Sequence, residues 1–122
     1  MALSYAARSV GGALAASGTE LAAIVDGRLV VDGSTAIRGA SVDSRTIAPG
    51  QMFVALPGER THGLMHASAA LRGGATAVLV EGGEASEPLR GALSALADDA
   101  RSAHATVICV EDGRSEIGRA HV

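Results

Sequence analysis

Two short polar loops carry the residues whose types and spacing could bind an anion. The first is the turn Asp43-Ser44-Arg45, and the second is the loop of residues 58–61. Each loop follows an apolar segment with the pattern of a strand, and each places an arginine beside small hydrogen-bonding groups. Charge-assisted donors on a rigid base suit a phosphate ester. We therefore predict a site for a phosphorylated ligand where the two loops meet.

Each loop also has a structural interpretation. Asp43 could cap its own turn through the backbone while Arg45 pairs with that carboxylate or with another surface acid. Residues 58–61 precede a predicted helix that begins near Leu64, where free backbone N–H groups and the helix dipole favour anions. They could instead form a solvated loop with a charged pair. The presence of two such loops after adjacent strands favours a ligand.

Other residues that could do chemistry lack a matching pattern. All ten basic residues are arginine, so the sequence cannot contain a phosphate-binding loop of the G-x-x-x-x-G-K-[ST] type. His62 and His66 have no further ligands at a defined spacing, and we expect solvated histidines and no metal site. Cys109 lies in an apolar run and is expected to be a buried thiol. No residue of this chain is predicted to be catalytic.

The composition excludes several classes of protein. The chain has 122 residues, of which 48% are hydrophobic, so it is long enough for one domain with a core. Its net charge of −3 argues against a nucleic-acid-binding surface. No apolar run has membrane-spanning length, and the N-terminus lacks the pattern of a signal peptide. We expect a soluble, cytoplasmic protein with no membrane insertion.

The hydrophobic pattern predicts an α/β fold with a small mixed β-sheet flanked by helices. Apolar, β-branched runs on either side of Asp26-Gly27 predict a β-hairpin over residues 21–31. Strands and helices alternate in the C-terminal half, which implies parallel βαβ crossovers. The other predicted strands are 37–42, 52–56, 75–80 and 106–110, and the predicted helices are 5–10, 64–71 and a helix that begins at Pro88.

These segments together resemble the N-terminal, substrate-recognising domain of the Mur ligases, the ATP-dependent enzymes of peptidoglycan precursor synthesis. The family's D-G-H triplet reads His62-Gly63-Leu64 here, so an acid and an imidazole are both replaced. The stretches that match family motifs are Asp43-Ser-Arg45, Pro49-Gly50, Met52-Phe-Val-Ala-Leu-Pro-Gly58, Ala67-Ser-Ala-Ala-Leu71 and Gly74-Ala-Thr-Ala-Val-Leu-Val80.

The resemblance implies that this chain binds the UDP end of a UDP-N-acetylmuramoyl-peptide. Val42, Ser44 and the loop of residues 58–61 would contact uridine and diphosphate, while Asp43 and Arg45 would shape the turn. The residues of this implied site are Val42, Asp43, Ser44, Arg45, Gly58, Glu59, Arg60 and Thr61.

The resemblance also implies a division of labour in a longer enzyme. Residues 1–115 would form the substrate-binding domain, and ATP and Mg²⁺ would bind in a central domain that these residues do not include. That central domain would be the partner of this one, and a third domain would follow it. The chain alone would bind no cofactor and would be inactive. Residues 116–122 would either begin a linker helix or derive from sequencing-adapter DNA, whose translation they match.

Three interpretations of the function follow. Residues 55–60 look most like the family members that add D-alanyl-D-alanine to UDP-N-acetylmuramoyl-tripeptide, and the members that add the third amino acid are the alternative. From a different class, the chain could be a free-standing, non-catalytic module that binds a nucleotide sugar or another protein. A structural fragment with no ligand is the third interpretation.

Overall fold

The computed structural model describes residues 15–33, 35–57, 62–82 and 86–111. The helix predicted over residues 5–10 lies outside these ranges. In chain order, the elements are the helix α1 (Gly18–Val25), the strands β1 (Arg28–Val31), β2 (Gly39–Ser41) and β3 (Gln51–Ala55), a 3₁₀ turn (Gly63–His66), the helix α2 (Ala67–Arg72), the strand β4 (Ala77–Glu81), the helix α3 (Glu87–Ala103) and the strand β5 (Thr106–Val110).

The described strands form one five-stranded sheet in the order β1-β5-β4-β3-β2. The pairs β2–β3, β3–β4 and β4–β5 are parallel, and β1 pairs with β5 in the antiparallel direction. Helices α2 and α3 make the crossovers between parallel strands, as the alternation predicted. The mixed α/β sheet flanked by helices is confirmed.

The predicted hairpin over residues 21–31 is wrong, because its first half is the helix α1. Ser17 and Glu20 form a capping box, in which the Ser17 hydroxyl accepts from the Glu20 N–H at 3.1 Å and the Glu20 carboxylate accepts from the Ser17 N–H at 2.9 Å. The bond from the Ser17 backbone is the main reason that the pKa of Glu20 lies below its usual value. Asp26 ends the helix with φ 54°. The Asp-Gly pair is thus a helix end, not a hairpin turn.

Replacing Ser17 with alanine is expected to lower the free energy of unfolding by about 1 kcal/mol, because the first turn of α1 loses its side-chain cap. Urea denaturation followed by far-UV circular dichroism measures this change. Ser17→Asp should retain most of the stability, since aspartate is also a preferred cap. Thr19→Ala, an exposed change within α1, serves as the matched control. A loss no larger than that of the control would contradict the capping box.

The remaining predicted elements agree with the structure within a few residues. The strands of residues 52–56, 75–80 and 106–110 correspond to β3, β4 and β5, and the shorter β2 lies within residues 37–42. Ser86 caps α3 by accepting from the Leu89 N–H, and Pro88 lies in its first turn. The buried face of α3 comprises Leu93, Leu96, Ala97 and Ala100. The predicted helix of residues 64–71 begins as the 3₁₀ turn and continues as α2.

The core lies on both faces of the sheet. Helix α1 covers one face, where Leu21 and Val25 pack beside Met52 and Ile108. Helices α2 and α3 cover the other face, which contains Phe53. Cys109 is a buried cysteine outside any disulfide, and its burial was predicted. Among the described residues, no helix combines the length and the apolar character needed to cross a membrane.

Candidate functional site

The carboxyl ends of β2 and β3 lie side by side, because the strands are parallel neighbours with Ser41 opposite Phe53. The two predicted loops therefore leave the sheet at the same edge. A cleft of about 550 Å³ opens there, a volume within the range of small-molecule sites. Its lining residues are Val42, Asp43, Ser44, Arg45, Phe53, Val54, Leu56, Gly63 and His66.

The turn after β2 is held by its own hydrogen bonds. The Ser41 hydroxyl accepts from the Asp43 N–H at 3.1 Å. One carboxylate oxygen of Asp43 accepts from the Arg45 backbone N–H at 2.9 Å and from its Nε at 3.0 Å, and the other accepts from Nη2 at 3.2 Å. Two of the guanidinium nitrogens of Arg45 are thus engaged within the turn. This geometry agrees with the interpretation in which Asp43 and Arg45 shape the turn.

The Asp43–Arg45 pair shifts both pKa values in the direction that favours the ion pair. The hydrogen bond from the Arg45 side chain, followed by that from its backbone, lowers the pKa of Asp43, and the same pair raises the pKa of Arg45. Because the folded pKa of Asp43 is depressed, its contribution to stability is present above the ordinary aspartate value. That contribution is lost as the pH falls through the lowered value. The turn should therefore be intact at neutral pH.

The Asp43 carboxyl is expected to titrate below the ordinary range of aspartate in the folded protein, because Arg45 stabilises its charged form. Carbon-detected NMR of the side-chain carboxyl across acidic pH measures this titration. Arg45→Gln should move the midpoint up towards the ordinary value. Arg72→Gln, which removes an exposed arginine of α2 outside the cleft, should leave it unchanged. An Asp43 titration that is the same with and without Arg45 would contradict the pairing.

Ser44 presents the free polar group of the turn. Its side chain is half-buried in the cleft, and within the described part of the chain its hydroxyl has no hydrogen-bond partner. Val42 precedes the turn and is 67% exposed. A ligand in the cleft could cover Val42 and bond to Ser44.

The base of the second loop adjoins the same cleft. Pro57 and His62 form an antiparallel bridge, and the Gly63 N–H donates to the Leu56 carbonyl at 2.8 Å. Residues 58–61 themselves, which include the predicted site residues Gly58, Glu59, Arg60 and Thr61, lie outside the described residues. Since Leu56 and Gly63 line the cleft, the loop begins and ends at its wall.

The prediction of a solvated His62 is wrong, because the side chain is buried with 8% exposure. Its Nδ1 accepts from the Leu64 N–H at 2.9 Å, which caps the 3₁₀ turn, and its Nε2 bonds to the Glu81 carbonyl. His66 is exposed, as predicted, and lines the cleft. Where the structure describes the chain, no three His, Cys, Asp or Glu side chains are grouped so as to bind a metal.

Several cleft residues were not predicted from the sequence. Phe53, Val54 and Leu56 had the pattern of a buried strand, and His66 had no partner pattern. Apart from Phe53, which lies in the middle of β3, these residues share a position near or after the carboxyl end of a parallel strand, where α/β proteins bind ligands. Which of them face the cleft depends on strand register and loop path.

Comparison with known proteins matches most of the chain to a recognised family. The family described as "Mur ligase family, catalytic domain" matches residues 36–119. The chain is also 40% identical over 89 residues to the UDP-N-acetylmuramoyl-L-alanyl-D-glutamate–2,6-diaminopimelate ligase of Streptomyces coelicolor. This alignment covers 70% of this chain and 18% of that relative. This chain thus spans less than a fifth of the length of that enzyme.

Shorter alignments join this chain to two related enzymes. The ligase of the same name from Alkalilimnicola ehrlichii is 54% identical over 54 residues, covering 43% of this chain and 11% of the relative. The UDP-N-acetylmuramoyl-tripeptide–D-alanyl-D-alanine ligase of Mycobacterium leprae is 54% identical over 37 residues, covering 30% of this chain and 7% of the relative. The matches therefore include members with two different amino-acid specificities.

Proposed function

Because this chain belongs to the Mur ligase family, we propose that it binds the UDP end of a UDP-N-acetylmuramoyl-peptide for a peptidoglycan-precursor ligase. The observation that carries this proposal is the cleft at the carboxyl edge of β2 and β3, which lies within the matched residues 36–119. The relatives are named for substrates that contain UDP-N-acetylmuramoyl groups.

The described lining of the cleft suits a neutral ring better than a phosphate. Val42, Val54 and Leu56 contribute apolar surface, and Ser44 contributes a free hydroxyl. The charges of Asp43 and Arg45 neutralise each other within the turn. We assign this part of the cleft to the uracil ring, whose faces are apolar and whose edge carries hydrogen-bonding groups.

The diphosphate is assigned to the adjoining loop of residues 58–61. The guanidinium of Arg45 already donates to Asp43 through two nitrogens, so the turn has less charge to offer than its sequence suggests. Arg60 supplies the cationic group of the second loop, whose ends, Leu56 and Gly63, lie in the cleft wall. This division orients the ligand from uracil at the turn to phosphate at the loop.

The transfer chemistry is assigned to a longer protein of which these residues form a part. The matching family is described as a catalytic domain. These 122 residues nevertheless contain no lysine, so the lysine of a phosphate-binding loop is not among them. In the rest of the longer protein, ATP and Mg²⁺ would act on a peptide carboxylate. The residues described here would position the substrate and leave the reacting groups to the rest of the enzyme.

Addition of the third amino acid is the better supported specificity. Relatives named as 2,6-diaminopimelate ligases match over 89 and 54 residues, whereas the D-alanyl-D-alanine ligase matches over 37. These alignment lengths favour the alternative over the addition of D-alanyl-D-alanine, which residues 55–60 had led us to expect. In the full-length enzyme, we expect ATP-dependent incorporation of diaminopimelate into a UDP-N-acetylmuramoyl-dipeptide. Incorporation of D-alanyl-D-alanine instead would contradict this proposal and support a D-alanyl-D-alanine-adding enzyme.

Calorimetric titration of UDP into this chain tests the proposed site. Ser44→Ala is expected to weaken UDP binding by about five- to tenfold, the effect of one lost hydrogen bond in a cleft. Ser94→Ala, an exposed change on α3 outside the cleft, should leave the affinity unchanged. Absence of saturable UDP binding, or equal affinities of both variants, would refute the site and favour a module with another partner.

A further inference from the structure

His62 lies where three parts of the fold meet. Its backbone forms the bridge with Pro57 at the base of the loop of residues 58–61. Its carbonyl accepts from the Met65 N–H at 3.0 Å in the first turn after that loop. Its ring reaches Glu81, which is nineteen residues away in sequence, at the end of β4. One buried side chain therefore connects the loop, the 3₁₀ turn and the sheet.

The two ring contacts of His62 determine its tautomer. The Leu64 backbone N–H can only donate, so Nδ1 must carry a lone pair to accept from it. The Glu81 carbonyl can only accept, so Nε2 must carry the hydrogen. These bonds require a neutral ring protonated on Nε2. An imidazolium would place an N–H of Nδ1 against the N–H of Leu64.

A shorter capping side chain could make only one of the two contacts of the His62 ring. Aspartate is a preferred helix cap because its side-chain oxygen accepts from the backbone of the first turn. Nδ1 of His62 performs the same function for Leu64. The longer ring adds a donor, Nε2, that reaches across to β4. A capping aspartate is too short to make both contacts.

The end of β4 is itself tied to β5. Glu81 is in register with Val110, and the Gly82 N–H donates to the Val110 carbonyl at 2.9 Å. The acceptor of the His62 ring is therefore part of the sheet and not of a loop. The bond to this acceptor therefore fixes the position of His62, and of the residues that pair with it, relative to the sheet.

We propose that His62 is a positioning residue for the ligand cleft: as a neutral ring protonated on Nε2, it clamps the paired residues Leu56–Pro57 and His62–Gly63, which form one wall of the cleft, to the carboxyl end of β4. The proposal rests on the proposed function for its ligand, since the cleft is assigned to UDP. His62 contacts no ligand in this arrangement. It acts through the positions of Gly63 and Leu56, which line the cleft.

Nitrogen-15 NMR of the histidine ring tests the clamp in the free protein. We expect Nε2 of His62 in the protonated range, Nδ1 in the unprotonated range, and slow exchange of the Leu64 amide hydrogen. His62→Ala should abolish that protection, and His62→Asn should retain it because the amide oxygen can accept from Leu64. A ring protonated on Nδ1, or fast exchange of the Leu64 amide in the wild type, would overturn the proposal.

UDP binding tests the positioning role. His62→Ala is expected to weaken binding by about tenfold and His62→Asn by about threefold, because the asparagine restores the cap but not the bond to Glu81. His104→Asn replaces an exposed histidine at the end of α3, where the left-handed backbone tolerates asparagine, and should not alter the affinity. Equal affinities of wild type and His62→Ala, or full rescue by asparagine, would overturn the clamp.

The two proposals fail in distinguishable ways. If UDP does not bind the wild-type chain, the proposed ligand is wrong, and hydrogen exchange of residues 58–61 in the free protein decides the role of His62. Faster exchange of those amides in His62→Ala than in His104→Asn would support the clamp. Equal exchange in the two variants would overturn it without reference to any ligand.

Discussion

Replacing Phe53 with alanine should lower the free energy of unfolding by about 3–5 kcal/mol, the largest stability loss that we expect from a single change in this protein. Phe53 is 2% exposed and lies in β3, between the β2 and β4 strands, within the core formed with α2 and α3. It is the single phenylalanine of the chain, and the sequence has no tryptophan. A packed core relaxes only partly around such a deletion, so a cavity would remain.

Urea denaturation followed by far-UV circular dichroism measures this loss, since the chain offers no tryptophan fluorescence. Val42→Ala is the matched control, because Val42 lines the same cleft but is 67% exposed and should change stability by less than about 0.5 kcal/mol. Similar losses in the two variants would show that Phe53 does not anchor the core. A loss as large as we expect would consume much of the stability of a domain of this size.

Gly63→Ala is expected to destabilise the chain by about 1–3 kcal/mol and to abolish measurable UDP binding if the proposed site is correct. A Cβ at this position would lie 2.9 Å from the backbone nitrogen of Leu56 and 3.0 Å from the Cα of Ala55. Because backbone atoms cannot rotate away, the two ends of the loop must separate. Their 2.8 Å hydrogen bond and the shape of the cleft wall would be lost together.

The control for this change is another glycine. Gly91 lies in α3, where an added Cβ would meet no atom within 4 Å. Gly91→Ala should therefore stabilise the chain by about 0.5–1 kcal/mol, since alanine is the better helix former. Thermal unfolding of both variants, together with UDP titration, gives the comparison. Unchanged stability and binding in Gly63→Ala would contradict the close approach of the two loop ends.

The two variants together separate stability from ligand binding. Phe53→Ala removes a buried core side chain, so its stability loss should exceed that of Gly63→Ala. Gly63→Ala alters the cleft wall directly at a smaller cost in stability. Loss of UDP binding in Gly63→Ala, the variant expected to be more stable, would identify the base of the loop as part of the site.

Local pattern sufficed for much of the fold. The strands β3, β4 and β5 were predictable because each is a short apolar run, and α3 was predictable because its apolar residues recur on one helical face after a capping serine and a first-turn proline. Their alternation implied parallel crossovers from β3 to β4 and from β4 to β5. The parallel pairing of β2 with β3, which brings the two polar loops to one edge of the sheet, was found only in the structure. The pairing of Asp43 with Arg45 was also foreseeable, since the partners are two residues apart.

The error at residues 21–31 shows where local pattern fails. Asp26-Gly27 can end a helix or turn a hairpin, and β-branched residues favour the hairpin. The capping box of Ser17 and Glu20 was the competing local signal. Burial of Leu21 and Val25 against the sheet stabilises the helix, and that contact cannot be read from the segment itself.

The sequence by itself determined the α/β class, the two loops after neighbouring strands and the turn at Asp43, because each depends on residues close together in the chain. Only the tertiary structure decided that Phe53 and His66 line the cleft and that His62 is buried. The last is the clearest case. Its environment depends on Glu81, nineteen residues away, and a contact across that separation exists only once the strands have paired in register.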